Sequence, residues 1–343
     1  VARKQFDYDW TKIPEVQMYG YTPEEEAFWP FQGLHPKWKI PDKIAIQCAI
    51  SGGGARITPG QNPHHPGTDL DTIRESAAEV LELEEGPSCI HFDHPPDQCT
   101  NRKGEKFDFG DSYAYVVEPL IEKYGYEKLC CHINTLRGST EQQMKPVFTG
   151  LAELTYLQPR ASTNWLKTIL PIMEENGMAF EIAVHVNSEL DLARRILLDP
   201  GLIKKPAMWC VLYGLPMKGP RWHFEFIPNE IAMAQHLVCT VERIREMDPG
   251  AKIQVMQGAR PSRYMCVQAM LLGLNIRVGH EDTVFKYPHK DDPLVSNAEE
   301  VKWAINTARL LGREVMTPAE YREYIGVEPR TGNDPRAYVG VPA

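Results

Sequence analysis

The chain lacks the features that mark membrane, nucleic-acid-binding and disulfide-built proteins. No apolar run approaches the ~18 residues that a membrane span requires, and the first ten residues, VARKQFDYDW, hold no apolar core of a signal peptide. A cytoplasmic location away from membranes is the expectation. Basic charge is in deficit: 37 Lys and Arg stand against 46 Asp and Glu, a formal net charge of −9. No general field therefore draws phosphate backbones or anionic lipid, and nucleic acid is not an expected partner. The eight cysteines form no C-x-x-C pair and mostly sit inside apolar runs, as buried free thiols do, which excludes a disulfide framework and a cysteine zinc site. There is no solenoid-type repeat and no low-complexity segment. Ser51-Gly52-Gly53-Gly54 has neither the Lys-Ser/Thr ending nor the G-x-G-x-x-G spacing of a phosphate cradle, so a close-packed turn accounts for it.

What is present describes a packed globule. Hydrophobic residues make up 43% and charged residues 24% of 343 positions, enough chain for two domains of about 150 residues or for one barrel of about 250 with additions. Residues 1–43 are rich in aromatics and proline (Tyr19, Tyr21, Trp29, Pro30, Phe31, Trp38, Pro41) without a clear period. They read as an extension packed against something else, a neighbouring subunit being the natural candidate. From Lys43 onward, short apolar runs alternate with longer amphipathic ones, the pattern of βα units.

The spacing predicts strands over Ile44–Ile50, Ser88–Asp93, Lys128–Asn134, Ala152–Leu157, Ala179–Val186, Ala207–Gly214, Lys252–Gln257 and Asn275–Gly279. Helices are expected between them, over Asp69–Leu83, Ser112–Tyr124, Thr140–Phe148, Asn164–Asn176, Ser188–Leu198, Pro228–Met247, Ser262–Leu272 and Ala298–Leu311. Eight strands each followed by a helix suit an α/β fold of the (β/α)₈ TIM-barrel type better than an open sheet. The barrel is expected over 44–327, ending in a C-terminal helix at Pro318–Tyr324, with a tail over 328–343.

In such barrels the reacting groups gather at the C-terminal ends of the strands. The second strand ends in Cys89-Ile90-His91-Phe92-Asp93-His94, where alternation puts His91 and Asp93 on one face. Imidazole nitrogen and carboxylate oxygen are competent zinc ligands, although a plain His–Asp hydrogen bond explains the pair equally. The eighth strand ends in Ile276-Arg277-Val278-Gly279-His280-Glu281-Asp282 and puts Arg277, Gly279 and Glu281 on one face. Glu281 completes a three-ligand set with His91 and Asp93, leaving a position for water or substrate; the alternative is an ion pair from Arg277 to Asp282 or Glu281 that closes the barrel. The third strand runs through Asn134, Thr135 and Gly138 into a helix start whose backbone N–H groups suit an anionic oxygen, with Ser139 or Thr140 as a plain N-cap. His64-His65, between prolines, reads as a solvated loop, and Arg221-Trp222-His223-Phe224 as a basic aromatic patch suited to a cofactor, an interface or a lid.

These residues resemble a known family. The phrase Arg277-Val278-Gly279-His280-Glu281-Asp282, the segment VSNAEEVKWAINTARLLGREVMTPAEYREYIGV (295–327), the Ile90-His91 strand and NPHHPGTDLDTIRESAAEVLEL (62–83) together resemble the beta-keto acid cleavage enzymes. The resemblance runs from about Lys43 to Val327 and is most specific at its C-terminal end. It implies a zinc-dependent, homotetrameric (β/α)₈ barrel that reacts a β-keto acid with acetyl-CoA to give acetoacetate and a new acyl-CoA. It further implies that His91 and Glu281 hold the metal and that Arg277 and Asp282 abstract the proton, with Arg277 keeping the base ionised. Thr135 falls near a small hydroxyl residue lining the site.

The chain departs from that pattern twice. The family reads His-x-His on the second strand, whereas here Asp93 stands at the second ligand position and a histidine is displaced to His94. Such a carboxylate still permits zinc or another divalent metal but adds negative charge. Gly54 stands where members acting on amino-substituted substrates carry an acidic residue. The expected substrate therefore lacks a terminal amine.

Overall fold

Apolar runs of this kind become strands buried on both faces when helices cover a parallel sheet, and the computed structural model shows that arrangement closed on itself. It describes residues 9–12, 37–51, 62–94, 99–135, 138–214, 227–258, 260 and 262–339. The chain divides into residues 1–40 and 41–343. Within the first unit the described residues include a single 3₁₀ turn, Trp10–Lys12, whose Thr11 N–H donates to the Asp9 carboxylate at 3.2 Å.

In the second unit the strands are β1 (Lys43–Ile44), β2 (Ile46–Ala49), β3 (Cys89–Phe92), β4 (Cys131–Ile133), β5 (Leu154–Leu157), β6 (Ala179–Val184), β7 (Met208–Tyr213), β8 (Lys252–Gln257), β9 (Asn275–Val278) and β10 (Glu314–Val315). Strands β2 to β9 pair in chain order, all parallel, into a closed eight-stranded barrel. The connecting helices are α1 (Leu70–Leu81), α2 (Phe109–Tyr124), α3 (Thr140–Phe148), α4 (Thr163–Glu175), α5 (Ser188–Ala193), α6 (Glu230–Met247), α7 (Ser262–Leu271) and α8 (Asn297–Leu310), followed by α9 (Pro318–Ile325). Helix α1 shows the local logic: Asp69 caps it by accepting from the Thr72 N–H, and Leu70, Ile73, Ala77, Val80 and Leu81 form one buried stripe. Each leucine, isoleucine and valine in that stripe stabilises the fold by about 1.5–3 kcal/mol relative to exposure.

The barrel expected from the sequence is thus present, with local differences. The first strand is split: β1 leaves the barrel to pair with β10 in a separate two-stranded sheet. Helix α2 starts at Phe109 rather than Ser112 because Asp108 caps it through the Asp111 N–H. The helix expected over 188–198 is α-helical only to Ala193 and continues as a π turn over Arg194–Leu198. Helix α6 starts at Glu230, capped by Asn229.

The strands' N-terminal end is sealed by α9. Thr317 and Glu320 cap that helix reciprocally, and Gly326 ends it in the left-handed region. Tyr321 packs with Ala45, Cys89, Cys130, Leu154 and Met208. Arg322 pairs with buried Glu153 at 3.0 Å and donates to the carbonyls of Tyr126 and Leu129. Seven cysteines are buried and free, and Cys239 is exposed and free. No helix among the described residues is long and apolar enough to cross a membrane.

Candidate active site at the barrel mouth

The opposite end gathers the charged groups. Strand β3 delivers His91 and, just beyond its end, Asp93; β9 delivers Arg277 and the turn that carries Glu281 and Asp282. That turn depends on Gly279. Its φ of +135° disfavours any L side chain, and a Cβ there would stand 2.1 Å from the Ala49 carbonyl oxygen. The backbone N–H of Asp282 donates to the Gly279 carbonyl at 3.1 Å, closing the turn.

One ligand atom each from His91, Asp93 and Glu281 lies within 4.8 Å of the others, and all three residues are buried. His91 Nε2 is 3.2 Å from Glu281 Oε2. Neither ring nitrogen of His91 makes a hydrogen bond among the described residues, so the plain His–Asp hydrogen bond does not account for the pair. Burial lowers the His91 pKa against the pull of Glu281, which leaves the neutral imidazole, the form that ligates metal. A buried imidazole nitrogen without a hydrogen-bond partner, facing carboxylates, fits a divalent cation. His94 is elsewhere: its Nδ1 is 2.9 Å from Ser112 Oγ and its ring stacks on Tyr113 with centroids 4.3 Å apart.

Arg277 organises the two acidic neighbours. Its Nε and Nη2 donate to Asp282 at 3.0 and 2.8 Å, and Nη2 also lies 2.9 Å from Glu281 Oε1. Burial works to lower the Arg277 pKa, but Asp282 and Glu281 outweigh it and hold the guanidinium charged well above its ordinary range. The ion pair that the sequence offered as an alternative is therefore present, and with both carboxylates. Strand alternation would allow only one of them to face Arg277. The ladder ends at Val278, and the Gly279 turn frees both.

Polar groups that the strand-end search missed continue this network into the barrel. Arg277 Nη1 donates to the Tyr156 hydroxyl, which donates to Gln47 Oε1 at 3.0 Å; Gln47 Nε2 donates to His132 Nδ1 at 2.9 Å. Below lies Glu181, 4.0 Å from His132 Nδ1 and fully buried. The trace of them in the sequence is one polar residue inside each apolar strand: Gln47, His132 and Glu181. Burial pushes the Glu181 carboxyl up to about 8, partly offset by Arg277 and Tyr321. A raised carboxyl pKa favours folding fully below the unfolded value near 4.5, and this contribution is lost as pH rises toward about 8. Between pH 5.5 and 8.5 the stability of Glu181→Gln, measured by denaturant unfolding, should therefore gain on the wild type by up to about 1.4 kcal/mol per pH unit. A constant difference between the two proteins across that range would contradict the buried, protonated Glu181.

Thr135 is fully buried with its hydroxyl 3.0 Å from that of Thr155, while its neighbour Asn134 borders the cleft at the mouth. That cleft is small, with free space of about 20 Å³, and has Tyr156, His185, Leu212, Arg277 and Glu281 among its walls. A larger cleft of about 190 Å³, beside Glu84–Pro87 and Met316–Pro318, shares no residue with this constellation. Gly138 has φ +77° and packs against Gln142 and Phe109, and Ser139 caps α3 as the plain reading expected. The solvated-loop reading of His64-His65 fails for His65. It is 6% exposed, accepts from the Gly67 N–H and stands edge-on to His280 with ring centroids 5.7 Å apart. Gly54, Arg137, the Arg221–Phe224 patch and most of residues 1–43 lie outside the described residues.

A closed (β/α)₈ barrel with its ionisable groups collected at the C-terminal ends of the strands is the architecture of a barrel enzyme. This chain belongs to the beta-keto acid cleavage enzyme family, whose model matches residues 43–327. Two curated relatives are each described as 3-keto-5-aminohexanoate cleavage enzyme. The one from Fusobacterium nucleatum subsp. nucleatum is 26% identical over 305 residues, covering 84% of this chain and 99% of the relative. The one from Acetoanaerobium sticklandii is 26% identical over 302 residues, covering 83% and 99%. Among solved structures, ObcA with oxaloacetate aligns at a TM-score of 0.62 with 18% identity, covering 77% of this chain and 68% of that one. ObcA in ternary complex with a C4-CoA adduct and oxalate aligns at 0.61, also with 18% identity. These two likenesses establish the barrel fold.

Proposed function

We propose that the protein transfers an acyl group between a β-keto acid and acetyl-CoA, yielding acetoacetate and a new acyl-CoA. The observation that carries this reading is the Asp282 carboxylate, clamped by Arg277 beside the His91, Asp93 and Glu281 donors at one barrel mouth. Family membership and the CoA adduct named for ObcA support it.

His91, Asp93 and Glu281 would hold zinc or another divalent metal, which when bound supplies Lewis acidity toward the keto and carboxylate oxygens of the substrate. Asp282 accepts the proton from the carbon between those two groups, and Arg277 fixes the carboxylate in place while it does so. The deprotonated carbon forms a bond to the thioester carbon of acetyl-CoA, and the C–S bond breaks to release the CoA thiolate. The thiolate then attacks the original keto carbon. Cleavage of the bond from that carbon to the former α carbon leaves acyl-CoA and acetoacetate, with the proton returned from Asp282. The third strand's end at Thr135 and Gly138 is proposed for the substrate side of this site.

The test is a panel of β-keto acids assayed with and without acetyl-CoA. Acyl-CoA formation that requires acetyl-CoA is the expected result. Cleavage that proceeds equally without it would replace this reading with a CoA-independent lyase on the same barrel.

A further inference from the structure

The hydrogen bonds that run from Arg277 into the barrel have a fixed direction. A guanidinium carries donors and no acceptor, so the Tyr156 oxygen accepts from Arg277 Nη1 and its own proton goes on to Gln47 Oε1, 3.0 Å away. With Oε1 turned to Tyr156, the Gln47 amide presents Nε2 to His132, whose Nδ1 accepts at 2.9 Å. The Tyr156 hydroxyl is thus seated between one donor and one acceptor. Its ring is held as well, with its centroid 4.1 Å from that of His132 and 5.1 Å from that of His91. Tyr156, Gln47 and His132 are all buried.

Arg277 is held from two sides. Nε and Nη2 face Asp282 and Nη2 also faces Glu281, so both carboxylates draw on one side of a rigid plane. Tyr156 takes Nη1 from the other side. It stands on β5, four strands round the eight-stranded barrel from β9, and so reaches Arg277 from the opposite wall. With both sides engaged, the guanidinium plane resists tilting toward either carboxylate, and Asp282 keeps the orientation that proton removal requires. Misplacement by about an ångström at a reacting group costs on the order of 100-fold in rate.

We infer that Tyr156, seated by Gln47 and His132, is a positioning residue that fixes the Arg277 guanidinium and, through it, the Asp282 base. This role rests on the reaction proposed above, in which Asp282 accepts the proton from the carbon between the keto and carboxylate groups.

The test uses 3-oxohexanoate as probe, with metal-loaded wild type, Tyr156→Phe, Asp282→Asn and the double variant. Proton transfer is read by itself, as deuterium entering carbon 2 of the probe in D₂O without acetyl-CoA: the C–H proton passes to Asp282, exchanges with solvent and returns as deuterium. Turnover is read with acetyl-CoA, and metal content by mass spectrometry. Tyr156→Phe should lose at least about 10-fold in enzyme-catalysed exchange at saturation and in kcat, with KM within about 3-fold of wild type and metal content unchanged. Added to Asp282→Asn, it should cost less than about 2-fold more, because the base through which it acts is already gone. Gln47→Met keeps Tyr156 but removes its acceptor. It should lose at least about 3-fold in the same two rates, and it decides the matter if Tyr156→Phe does not fold. Unchanged exchange in either folded variant, a rise in KM without loss of kcat, loss of metal along with activity, or an undiminished further loss on top of Asp282→Asn would overturn the assignment. Tyr156-dependent exchange with no acetoacetate on adding acetyl-CoA would uphold it and sink the proposed reaction instead. Acetoacetate formed by Tyr156→Phe at the wild-type rate would do the reverse.

Discussion

An Asp282→Asn protein should keep its metal and its fold and lose at least about 100-fold in turnover, the scale expected for a positioned base. Asp282 is fully buried and accepts two hydrogen bonds from one guanidinium, so its carboxylate is fixed in orientation. Asparagine matches the shape but cannot take the proton. Its amide also turns one N–H₂ toward Arg277, where only acceptors are served, so a stability cost of about 1–3 kcal/mol accompanies the loss of activity. Arg277 retains Glu281 at 2.9 Å, which keeps the turn in place. Turnover, metal content by mass spectrometry and thermal unfolding together check the prediction. A variant that lost its metal and kept its turnover would exchange the roles of the two adjacent carboxylates.

Glu281→Gln should have the complementary outcome, with metal content falling from about one ion per chain to a small fraction of that. Glu281 Oε2 lies 3.2 Å from His91 Nε2 and contributes negative charge that a cation requires. The amide removes that charge, leaving Asp93 as the one anionic donor of the three, and a neutral oxygen is a weaker ligand for zinc. Activity falls with the metal. Unchanged metal stoichiometry in a folded variant would remove Glu281 from the ligand set.

The barrel was legible because parallel strands buried on both faces leave short continuous apolar runs, and eight of them alternate with amphipathic helices. Element ends were less legible. Asp108 and Asn229 move helix starts by capping geometry that apolar periodicity does not register. At Gly279, period-two alternation points to Glu281 but stops describing the chain, since the glycine's positive φ ends the ladder and lets Glu281 and Asp282 share Arg277. Inspection of strand ends alone passed over Gln47, His132 and Glu181, which face the interior from within strands. His65 looked solvated between its prolines, yet it packs against His280, more than two hundred positions further along the chain, in no sequence pattern a single chain displays.

The central claim is that acetyl carbon from acetyl-CoA becomes part of the product acetoacetate. Metal-loaded protein incubated with an unlabelled β-keto acid and acetyl-CoA labelled with ¹³C in both acetyl carbons tests this most directly, read by NMR of the products. The account predicts label at carbons 3 and 4 of acetoacetate, none at carbons 1 and 2, and an unlabelled acyl group on the new acyl-CoA. Unlabelled cleavage products, with the labelled acetyl-CoA recovered intact, would contradict it.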